Sequence, residues 1–517
     1  MLHGFDAGTW DSSKSSFTDG TGSELFGYIP PDFLDTNGST SLPKITSWYE
    51  TTVTQPSTYE FVDSTPSIND VFFGNVFNGI TNSLDTSTYP ISSSGTPTNS
   101  WHTVLIGGER NGGTAYYALD LTNPGNLGSG YPEGLWDFTD AGMGNTWSEP
   151  LITFVCLPNP NYVSKNGGTG ICDNNPTPQS PIAAPQYVQT YLAFIGGGYP
   201  SDKDKVAGQA VYALYAEPNP VNKGTTANPD YVDEQELWKF DSVNDSNMTY
   251  SIPSDIAPVE SSNFMLQDFY VGDLGGQMWA FNLPLGDSPS SWTGCRVFAS
   301  DQTTTPLNIY FPPALSYDSS GNLWLFFGTG NRENLSEDIT SRYNELIGLN
   351  TVGTQGTGEC AKSGPYNETN LTNATNATGK SGIGTLSSSS AGWYITLSYG
   401  EKVVGTAQVY DGIVYFVTYT PPLAGSDVCQ ESGTAKLYAV YYLNGGGTIT
   451  TSNGTVIISN TVRSGASQSM TIGSGVPSAP VISNGNLIVT TSTGAVLTQK
   501  IPSLATKLIP TSWFQYP

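Results

Sequence analysis

The sequence has few charged residues of either sign. Asp, Glu, Lys and Arg make up 12% of the 517 residues, whereas roughly 25% is usual for a soluble protein. The balance is acidic, with a formal net charge of -26 and a pI of about 4.1. Such a surface repels nucleic acid and anionic membranes at neutral pH, so we expect neither as a partner.

The shortage of charge suits an acidic medium. Below the reference carboxyl pKa of about 4, Asp and Glu are mostly neutral, and only 18 Lys and Arg and two His remain charged. An ordinary basic content would leave a several-fold higher positive charge and stronger self-repulsion. We therefore expect an exported protein of an acidic environment, with an acidic secreted protein of a neutral habitat as the alternative.

Signals for metal sites and membrane spans are also missing. The two histidines, His3 and His102, and the five cysteines have no zinc-ligand spacing, and we predict no metal and no cofactor. No apolar run reaches the length of a transmembrane helix, and no signal peptide is recognisable. Because the chain starts inside a strand-like pattern, we expect a processed, trimmed or mis-started N-terminus.

The five cysteines suggest one disulfide and leave a second open. Cys156 and Cys172 bracket a loop rich in Pro, Asn and Gly and are predicted to close it. Cys360 and Cys429 are a candidate second pair, which leaves Cys295 without a partner.

Asn-x-Ser/Thr sequons occur nine times, and four of them fall in one run at residues 367–378. Chance accounts for some sequons in a chain rich in Ser, Thr and Asn. The cluster nevertheless favours an exported, glycosylated loop, for which archaeal export is one setting. The acceptor residues are Asn37, Asn244, Asn247, Asn334, Asn367, Asn370, Asn373, Asn376 and Asn453.

Helical periodicity is almost absent, and short β-branched or aromatic runs alternate with Gly, Asn and Pro turns. Three kinds of run recur in a fixed order: Pro-small-apolar, apolar closed by glycine, and aromatic-Ala-apolar. A fourth strand often follows. One such unit reads Glu149-Pro150-Leu151, Ala193-Phe194-Ile195-Gly196, Tyr212-Ala213-Leu214 and Leu237-Trp238-Lys239-Phe240. Four strands repeated about six times predict the blades of a β-propeller.

We predict a single all-β propeller domain over residues 1–517, with seven four-stranded blades, or eight as the alternative. Residues 1–30 would supply the outer strands of an incomplete N-terminal blade, and Trp513-Phe514-Gln515-Tyr516 the fourth strand of the last. Most of the recurrent aromatic residues are predicted to pack between blades. Function or assembly is expected in the long insertions at residues 74–100, 157–188, 217–234 and 353–391.

Runs spread in order over residues 1–330 resemble the propeller of PilY/PilC-type pilus-tip proteins. The resemblance implies the fold but says little about function, because propellers host many chemistries. Those proteins carry a calcium loop before the Gly272-Asp273 position, whereas residues 259–268 offer too few carboxylates here, so we predict no calcium. The matching runs include Met1-Leu2-His3-Gly4-Phe5-Asp6-Ala7, Val62-Asp63-Ser64-Thr65-Pro66, Thr103-Val104-Leu105-Ile106-Gly107-Gly108, Tyr270-Val271-Gly272-Asp273-Leu274-Gly275-Gly276 and Phe327-Gly328-Thr329-Gly330.

The size, the stand-alone propeller and the acid-fitted composition are similar to the tetrathionate hydrolases of acidophilic sulfur oxidisers. That resemblance implies an exported, acid-active hydrolase that cleaves tetrathionate to thiosulfate, sulfate and sulfur. Its site needs cationic or N–H donors for the sulfonate oxygens and a carboxylate that activates water. An Asp suits this role at about pH 3 to 4, where a histidine would stay protonated.

Three charged candidates, Arg110, Asp273 and Arg332, lie in loops between the second and third strands of the blades, and a fourth, Asp268, lies where the calcium loop of the pilus-tip proteins is replaced. Asp268 and Asp273 are candidate general bases, with a strand-edge carboxylate and a turn aspartate that holds its own backbone as the alternative roles. Arg110 and Arg332 occupy matching loop positions and are candidate clamps for sulfonate oxygens, with loop salt bridges as the alternative.

Three aromatic residues flank these loops and are candidate walls of a substrate pocket, with simple packing as the alternative: Trp101, Trp147 and Tyr199. The predicted function is tetrathionate hydrolysis, with a small inorganic sulfur anion as partner. A PilY/PilC-like pilus-associated or cell-surface adhesion propeller without catalysis is the main alternative. A quinoprotein dehydrogenase is disfavoured because the chain has no Cys-Cys dipeptide. The protein is expected outside the cell, at its surface or in the periplasm, as a homo-oligomer.

Overall fold

A computed structural model of the chain describes most of its residues. The described ranges are 2–14, 16–33, 62–74, 77–78, 83–84, 101–124, 130–159, 172–173, 186–200, 206–222, 231–233, 235–301, 306–336, 343–351, 365–379, 386, 390–422, 432–452, 454–460 and 465–501.

The described part of the chain is all-β, as predicted. It contains 36 strands and three single-turn 3-10 helices, Pro31–Phe33, Pro289–Ser291 and Glu368–Asn370, and no α-helix. Within these ranges no helix combines the length and apolarity that crossing a bilayer requires.

The chain divides into two compact units. The first comprises Met1–Ser251, Phe264–Leu266 and Leu283–Trp292, and the second comprises Ile252–Asn263, Gln267–Asn282 and Thr293–Pro517.

The first unit is built on two sheets with four strands in sequence order, β5-β8-β9-β10 and β11-β13-β14-β17. β12 adds to β13, and the pairs β1-β4, β2-β3, β6-β7 and β15-β16 are separate. The strands are β1 (Leu2–Phe5), β2 (Gly8–Asp11), β3 (Ser16–Asp19), β4 (Glu24–Tyr28), β5 (Ser67–Phe72), β6 (Phe77–Asn78), β7 (Ser83–Leu84), β8 (Trp101–Gly108), β9 (Tyr116–Asp120), β10 (Glu133–Phe138), β11 (Leu151–Pro158), β12 (Cys172–Asp173), β13 (Tyr187–Gly196), β14 (Val211–Tyr215), β15 (Pro220–Asn222), β16 (Tyr231–Asp233) and β17 (Glu236–Phe240).

The second unit is built on the sheets β18-β19-β20-β21, β22-β23-β24-β26-β25, β27-β29-β30-β33 and β34-β35-β36, with β28 added to β29 and the pair β31-β32 separate. The strands are β18 (Ala257–Glu260), β19 (Leu266–Gly272), β20 (Gln277–Asn282), β21 (Thr293–Ala299), β22 (Ala314–Tyr317), β23 (Leu323–Gly328), β24 (Glu345–Asn350), β25 (Thr372–Asn373), β26 (Gly392–Thr396), β27 (Lys402–Val403), β28 (Gln408–Tyr410), β29 (Ile413–Thr420), β30 (Thr434–Tyr441), β31 (Ile449–Ser452), β32 (Thr455–Ile458), β33 (Ser469–Ser474), β34 (Val481–Ser483), β35 (Asn486–Thr490) and β36 (Val496–Lys500).

The predicted order of runs becomes the order of hydrogen-bonded strands. In the sheet β11-β13-β14-β17, the glycine-closed run ends β13, the aromatic-Ala run forms β14 and the fourth run forms β17. Five sheets of the described chain contain such a four-strand series, and β34-β35-β36 contains three strands. The run at residues 513–516, predicted as a further strand, lies outside the described residues.

The recurrent aromatic residues pack between neighbouring sheets, as predicted. In the first unit Tyr116 and Trp136 of one sheet share a buried cluster with Tyr191 and Tyr212 of the next. Tyr116 and Tyr212 have no exposed surface, and the removal of their rings from water favours this contact. The repeated aromatic positions therefore stabilise the contact between sheets.

Residues near the N-terminus form short antiparallel pairs against the first sheet. β1 pairs with β4, and Leu2, Phe26 and Tyr28 pack on a cluster that contains Tyr117 and Leu119 of β9. This packing places β1 and β4 beside the sheet β5-β8-β9-β10.

One cysteine prediction is confirmed and another is wrong. Cys156 of β11 and Cys172 of β12 form a disulfide. Cys295 of β21 is also disulfide-bonded, although it was expected to lack a partner, because spacing alone does not determine which cysteines pair. Cys360 and Cys429 lie outside the described residues.

Candidate functional site

Arg110 lies in the connection between β8 and β9. Its φ of 52° falls in the left-handed region, which residues other than glycine rarely adopt. The backbone N–H groups of Glu109 and Arg110 both donate to Oγ1 of the buried Thr146, at 2.7 and 2.9 Å. These bonds fasten the loop to the connection between β10 and β11.

The Arg110 guanidinium is held by an acid and an aromatic ring. Its Nη1 donates to Oδ2 of Asp63 at 3.3 Å, and its Cζ lies 4.4 Å from the centroid of the Trp147 ring. Asn111 completes the arrangement, because its N–H donates to Oδ1 of Asp63 and its Oδ1 accepts from Nε1 of Trp147. The loop salt bridge named as the alternative role of Arg110 is therefore present, although 26% of the side chain stays exposed.

Two of the three predicted aromatic residues join Arg110. The rings of Trp147 and Tyr199 lie 5.0 Å apart, and the backbones of Asn145 and Tyr199 exchange hydrogen bonds of 2.7 and 2.8 Å. Arg110, Trp147 and Tyr199 thus form one small surface cluster in the first unit.

Trp101 does not belong to this cluster. It is the first residue of β8, whereas Arg110 follows the last, and a strand of this length separates its ends by about 24 Å. The Trp101 side chain is 50% exposed and contacts the rings of Phe72 and Tyr191. The prediction that Trp101 flanks the Arg110 loop is therefore wrong, because the two ends of a strand lie at opposite ends of the sheet.

Asp273 begins the turn between β19 and β20. Its Oδ1 accepts from the backbone N–H groups of Gly275 and Gln277, at 2.8 and 3.0 Å. Its Oδ2 accepts from Nε2 of Gln277 and from Nε1 of Trp279, at 2.8 and 2.9 Å. This is the turn-holding role that was named as the alternative for Asp273.

The Asp273 carboxylate is closed off from solvent. It has no exposed surface, and burial raises its pKa to about 6 against the opposing effect of four N–H donors. A general base must come within hydrogen-bond distance of the water or substrate proton it removes. Asp273 presents no surface on which that contact can form in this conformation.

Asp268 lies on β19 in a more open setting. It is partly buried, and its Oδ1 accepts from Nδ2 of Asn282 on β20 at 2.7 Å. Burial raises its pKa, while the Asn282 hydrogen bond acts in the opposite direction. Five residues of strand separate it from Asp273, which is about 17 Å, so the two carboxylates do not form a catalytic pair.

Arg332 lies on an exposed turn after β23. The turn is held by Oδ1 of Asn331, which accepts from the N–H groups of Glu333 and Asn334. The Arg332 Cζ lies 5.2 Å from the centroid of the Phe311 ring.

The segment that contains Phe311 links this turn to the Asp273 turn. Ile309 N–H donates to the Asp273 carbonyl at 3.0 Å, and Gly330 N–H donates to the Asn308 carbonyl at 2.9 Å. The second unit therefore brings the loops of Asp273 and Arg332 to the same end of neighbouring sheets, as the sequence predicts for connections between second and third strands.

Two buried glutamates, Glu401 and Glu345, were not among the residues predicted from the sequence. Glu401 has no exposed surface, and its carboxylate accepts from Nζ of Lys436 at 2.9 Å and Oγ1 of Thr418 at 2.7 Å. Burial acts to raise its pKa, but these hydrogen bonds and the Lys436 charge lower it overall. The sequence signal that could have identified Glu401 is a charged residue close to apolar runs in a chain that has few charges.

Glu345 is the opposite case. It is 4% exposed, and its Oε2 has no hydrogen-bond partner among the described residues. Burial raises its pKa to about 8, and the charges of Glu368 and Asp301 add to that effect. The described ranges contain no group of three or more His, Cys, Asp or Glu side chains placed to hold a metal ion.

Comparisons with known proteins point to pilus biogenesis factors. No family model matches the chain. A type IV pilus biogenesis factor PilY1 homologue of Xylella fastidiosa is 23% identical over 475 residues, which cover 86% of this chain and 25% of that protein. PilY1 of Pseudomonas aeruginosa is 24% identical over 305 residues, which cover 58% of this chain and 18% of that protein. The chain thus spans about a quarter or less of the length of these relatives.

The fold has a counterpart among solved structures. The crystal structure of the Pseudomonas aeruginosa PilY1 C-terminal domain matches 97% of this chain and 91% of that domain, with a TM-score of 0.55 and 18% identity. The chain therefore has the fold of the PilY1 C-terminal β-propeller, which confirms the resemblance that its runs indicated. The comparisons lend no support to the resemblance to tetrathionate hydrolases.

Proposed function

We propose that this chain is the propeller region of a PilY1-like, pilus-associated protein at the cell surface. The observation that carries this proposal is the match to the PilY1 C-terminal domain along nearly the whole chain, together with sequence similarity spread over most of it. We further propose seven blades, with eight as the alternative.

The predicted site residues support a binding role better than catalysis. Arg110 is tied to Asp63 and Trp147, and Asp273 is enclosed by its own turn. Both residues shape loops that a rigid propeller can present to a partner. Small inorganic anions and a second copy of the chain remain candidate partners.

An acidic environment stays part of the proposal, because two buried carboxylates favour it. The pKa of Asp273 rises to about 6 and that of Glu345 to about 8 on folding. A raised pKa means that the folded state binds the proton more tightly than the unfolded state. The stability this contributes is present below pH 4 or so and is lost as the pH rises through 6 and then 8.

Deletion of this region from the gene tests the proposal. In-frame removal of the codons for this chain should leave cells with several-fold fewer surface pili by electron microscopy, and the intact gene should restore them. A gene that carries Asp268→Asn should also restore them, because a non-catalytic propeller does not need that carboxylate. Unchanged pilus numbers in the deletion strain would contradict the proposal.

Tetrathionate hydrolysis is the second candidate, and Asp268 is the observation that favours it. Its carboxylate is partly accessible, as contact between a general base and its water requires. Purified chain at about pH 3 would release thiosulfate from tetrathionate, and Asp268→Asn would abolish the release. No thiosulfate from folded protein would remove this candidate.

A further inference from the structure

The four tandem sequons form an ordered segment with a three-residue period. The middle residue of every triplet is buried, and the acceptor asparagines of the last three triplets are exposed. The buried middle residues are Glu368 (8% exposed), Leu371 (8%), Ala374 (0%) and Ala377 (7%). The segment therefore directs an apolar or hydrogen-bonded row inwards and a row of asparagines outwards.

The segment is anchored by its backbone and middle residues. β25 pairs in parallel with β26, and Ala374 N–H donates to the Tyr394 carbonyl at 2.8 Å. The Gln468 side chain donates to the Ala374 carbonyl and accepts from Asn376 N–H, at 2.8 and 2.9 Å. None of these anchoring contacts uses an asparagine side-chain nitrogen.

Three of the four acceptor asparagines bond to the backbone through their side-chain oxygens. Oδ1 of Asn367 and Oδ1 of Asn373 accept from the N–H two residues further on, at 3.0 and 2.9 Å. Oδ1 of Asn370 accepts from Asn367 N–H at 2.9 Å. No hydrogen bond within the described part of the chain engages Nδ2 of these residues or of Asn376. An N-linked sugar keeps the amide oxygen, so the caps survive the modification.

We propose that this segment is an N-glycosylated edge of the second unit, with Asn370, Asn373 and Asn376 as its main acceptors. The sugar donor is a glycosyl phosphate or diphosphate used by an export-side glycosyltransferase. Nδ2 forms a bond to the anomeric carbon, the bond from that carbon to the phosphate oxygen breaks, and the phosphate leaves with the electron pair. One amide proton passes to a base of the transferase.

Another sequon in the chain provides an internal contrast. Asn247, in Asn247-Met248-Thr249, is also exposed and also precedes a buried residue. Its Nδ2, however, donates to Oδ1 of Asp245 at 2.7 Å. This bond holds the Asn247 amide against Asp245 through one of its two N–H hydrogens, so Asn247 is expected to enter a transferase less readily and to carry less sugar than the tandem acceptors.

The position of the segment gives the sugars a physical role. β25 is the last strand of the sheet β22-β23-β24-β26-β25. An open sheet edge exposes backbone groups that can pair with another chain, and proteins block such edges with bulky or polar groups. Glycans at Asn370 and Asn373 would cover this two-residue edge, whereas beyond it the carbonyls of Ala374 and Ala377 already accept from the Gln468 side chain and from Gly447 N–H.

Peptide mapping of the exported protein from its native cells tests the proposal. Trypsin releases all four acceptors in a single peptide, residues 363–380. We expect this peptide to carry one or more glycan masses on asparagine, with at least fivefold lower occupancy at Asn247. A peptide found only at its unmodified mass would overturn the proposal, and so would equal occupancy at Asn247.

A matched pair of variants assigns the modification to the sequon. Thr378→Ala removes the hydroxyl that the Asn376 sequon requires, whereas Thr378→Ser retains it; Thr378 itself is exposed. Loss of the glycan on Asn376 in the first variant, and its retention in the second, is expected. A glycan on Asn376 in both would overturn sequon-dependent attachment. The readout is mass, so it does not depend on the pilus proposal.

Discussion

Asp273 and Asp318 begin two turns with one sequence pattern, Asp-x-x-Gly-Gln/Asn-x-Trp. Asp318 precedes β23 and binds as Asp273 does: Oδ1 accepts from Ser320 and Asn322 N–H. Its Oδ2 accepts from Nδ2 of Asn322 and Nε1 of Trp324, at 2.9 and 3.2 Å. The two turns share every hydrogen-bond position and differ in where they lie in the fold.

Their surroundings give the two carboxylates opposite properties. Asp273 is fully buried and its pKa rises to about 6. Asp318 is only partly buried, and although burial also acts to raise its pKa, the hydrogen bonds from Asn322, Trp324 and Ser320 lower it overall. The pattern therefore builds a turn, and burial alone decides how the acid titrates. We infer that Asp273 stabilises the fold, because Asp318 makes the same turn hydrogen bonds at a partly exposed position.

Removal of the carboxylate should give the largest difference in stability between variants of the two turns. Asp273→Ala takes the acceptor from four N–H donors in a closed site, where each lost bond costs about 1–3 kcal/mol. We expect a loss of at least about 4 kcal/mol in the free energy of unfolding, against about 1–2 kcal/mol for Asp318→Ala. Guanidinium unfolding at neutral pH measures both, and equal losses would contradict the role of burial.

The pH dependence of the two Asp→Asn variants should have opposite signs. The folded pKa of Asp273 is raised from 3.8 to about 6, so its contribution is present below pH 4 or so and is lost by about pH 6, on the order of 3 kcal/mol. The folded pKa of Asp318 is lowered, so its contribution is present above that range and is lost in acid. Urea unfolding of wild type and each variant across this range measures the difference, and a shared sign would refute the comparison.

Alanine substitutions at the turn glycines, Gly276 and Gly321, should give a smaller difference in stability. Gly276 and Gly321 have φ of 77° and 80°, but a Cβ on Gly276 would lie 2.8 Å from the Leu307 carbonyl oxygen, while Gly321 faces open space. We expect Gly276→Ala to cost about 2–3 kcal/mol and Gly321→Ala about 1 kcal/mol. Thermal unfolding of the two variants compares them. Equal losses would show that the left-handed φ, which the two glycines share, outweighs the contact with Leu307.

The indole donors should give the smallest effect. Trp279→Phe removes a 2.9 Å bond to a closed carboxylate and Trp324→Phe a 3.2 Å bond to a partly solvated one. We expect the free energy of unfolding to fall by about 1–2 kcal/mol in Trp279→Phe and by less than about 1 kcal/mol in Trp324→Phe. Denaturant unfolding at neutral pH provides the values, and the reverse order would count against the comparison.

The strands and the fold could be predicted from the sequence because each strand of the four-strand repeat is indicated by residues within its own short run. Each run of β13, β14 and β17 carries its own β-branched or aromatic residues and is bounded by its own turn residues. The turn-holding role of Asp273 was also predictable from its neighbours. Its pattern recurs at Asp318, and a pattern that occurs twice in one chain at the start of a strand indicates a turn rather than a catalytic group.

The contacts that define the candidate site lie beyond local patterns. Asp63 and Arg110 are 47 residues apart, and Glu401 and Lys436 are 35 apart. Nothing in the spacing of these residues indicates that they meet. The burial of Glu345 is likewise set by the sheets around it.

The most direct test is whether the protein lies on surface filaments. Pili sheared from the native cells can be sedimented, and the chain followed with an antibody in filament and supernatant fractions. The account predicts that the chain sediments with the filaments and is lost from that fraction in cells without the major pilin. A chain that stays in the supernatant of piliated cells and releases thiosulfate from tetrathionate would contradict it.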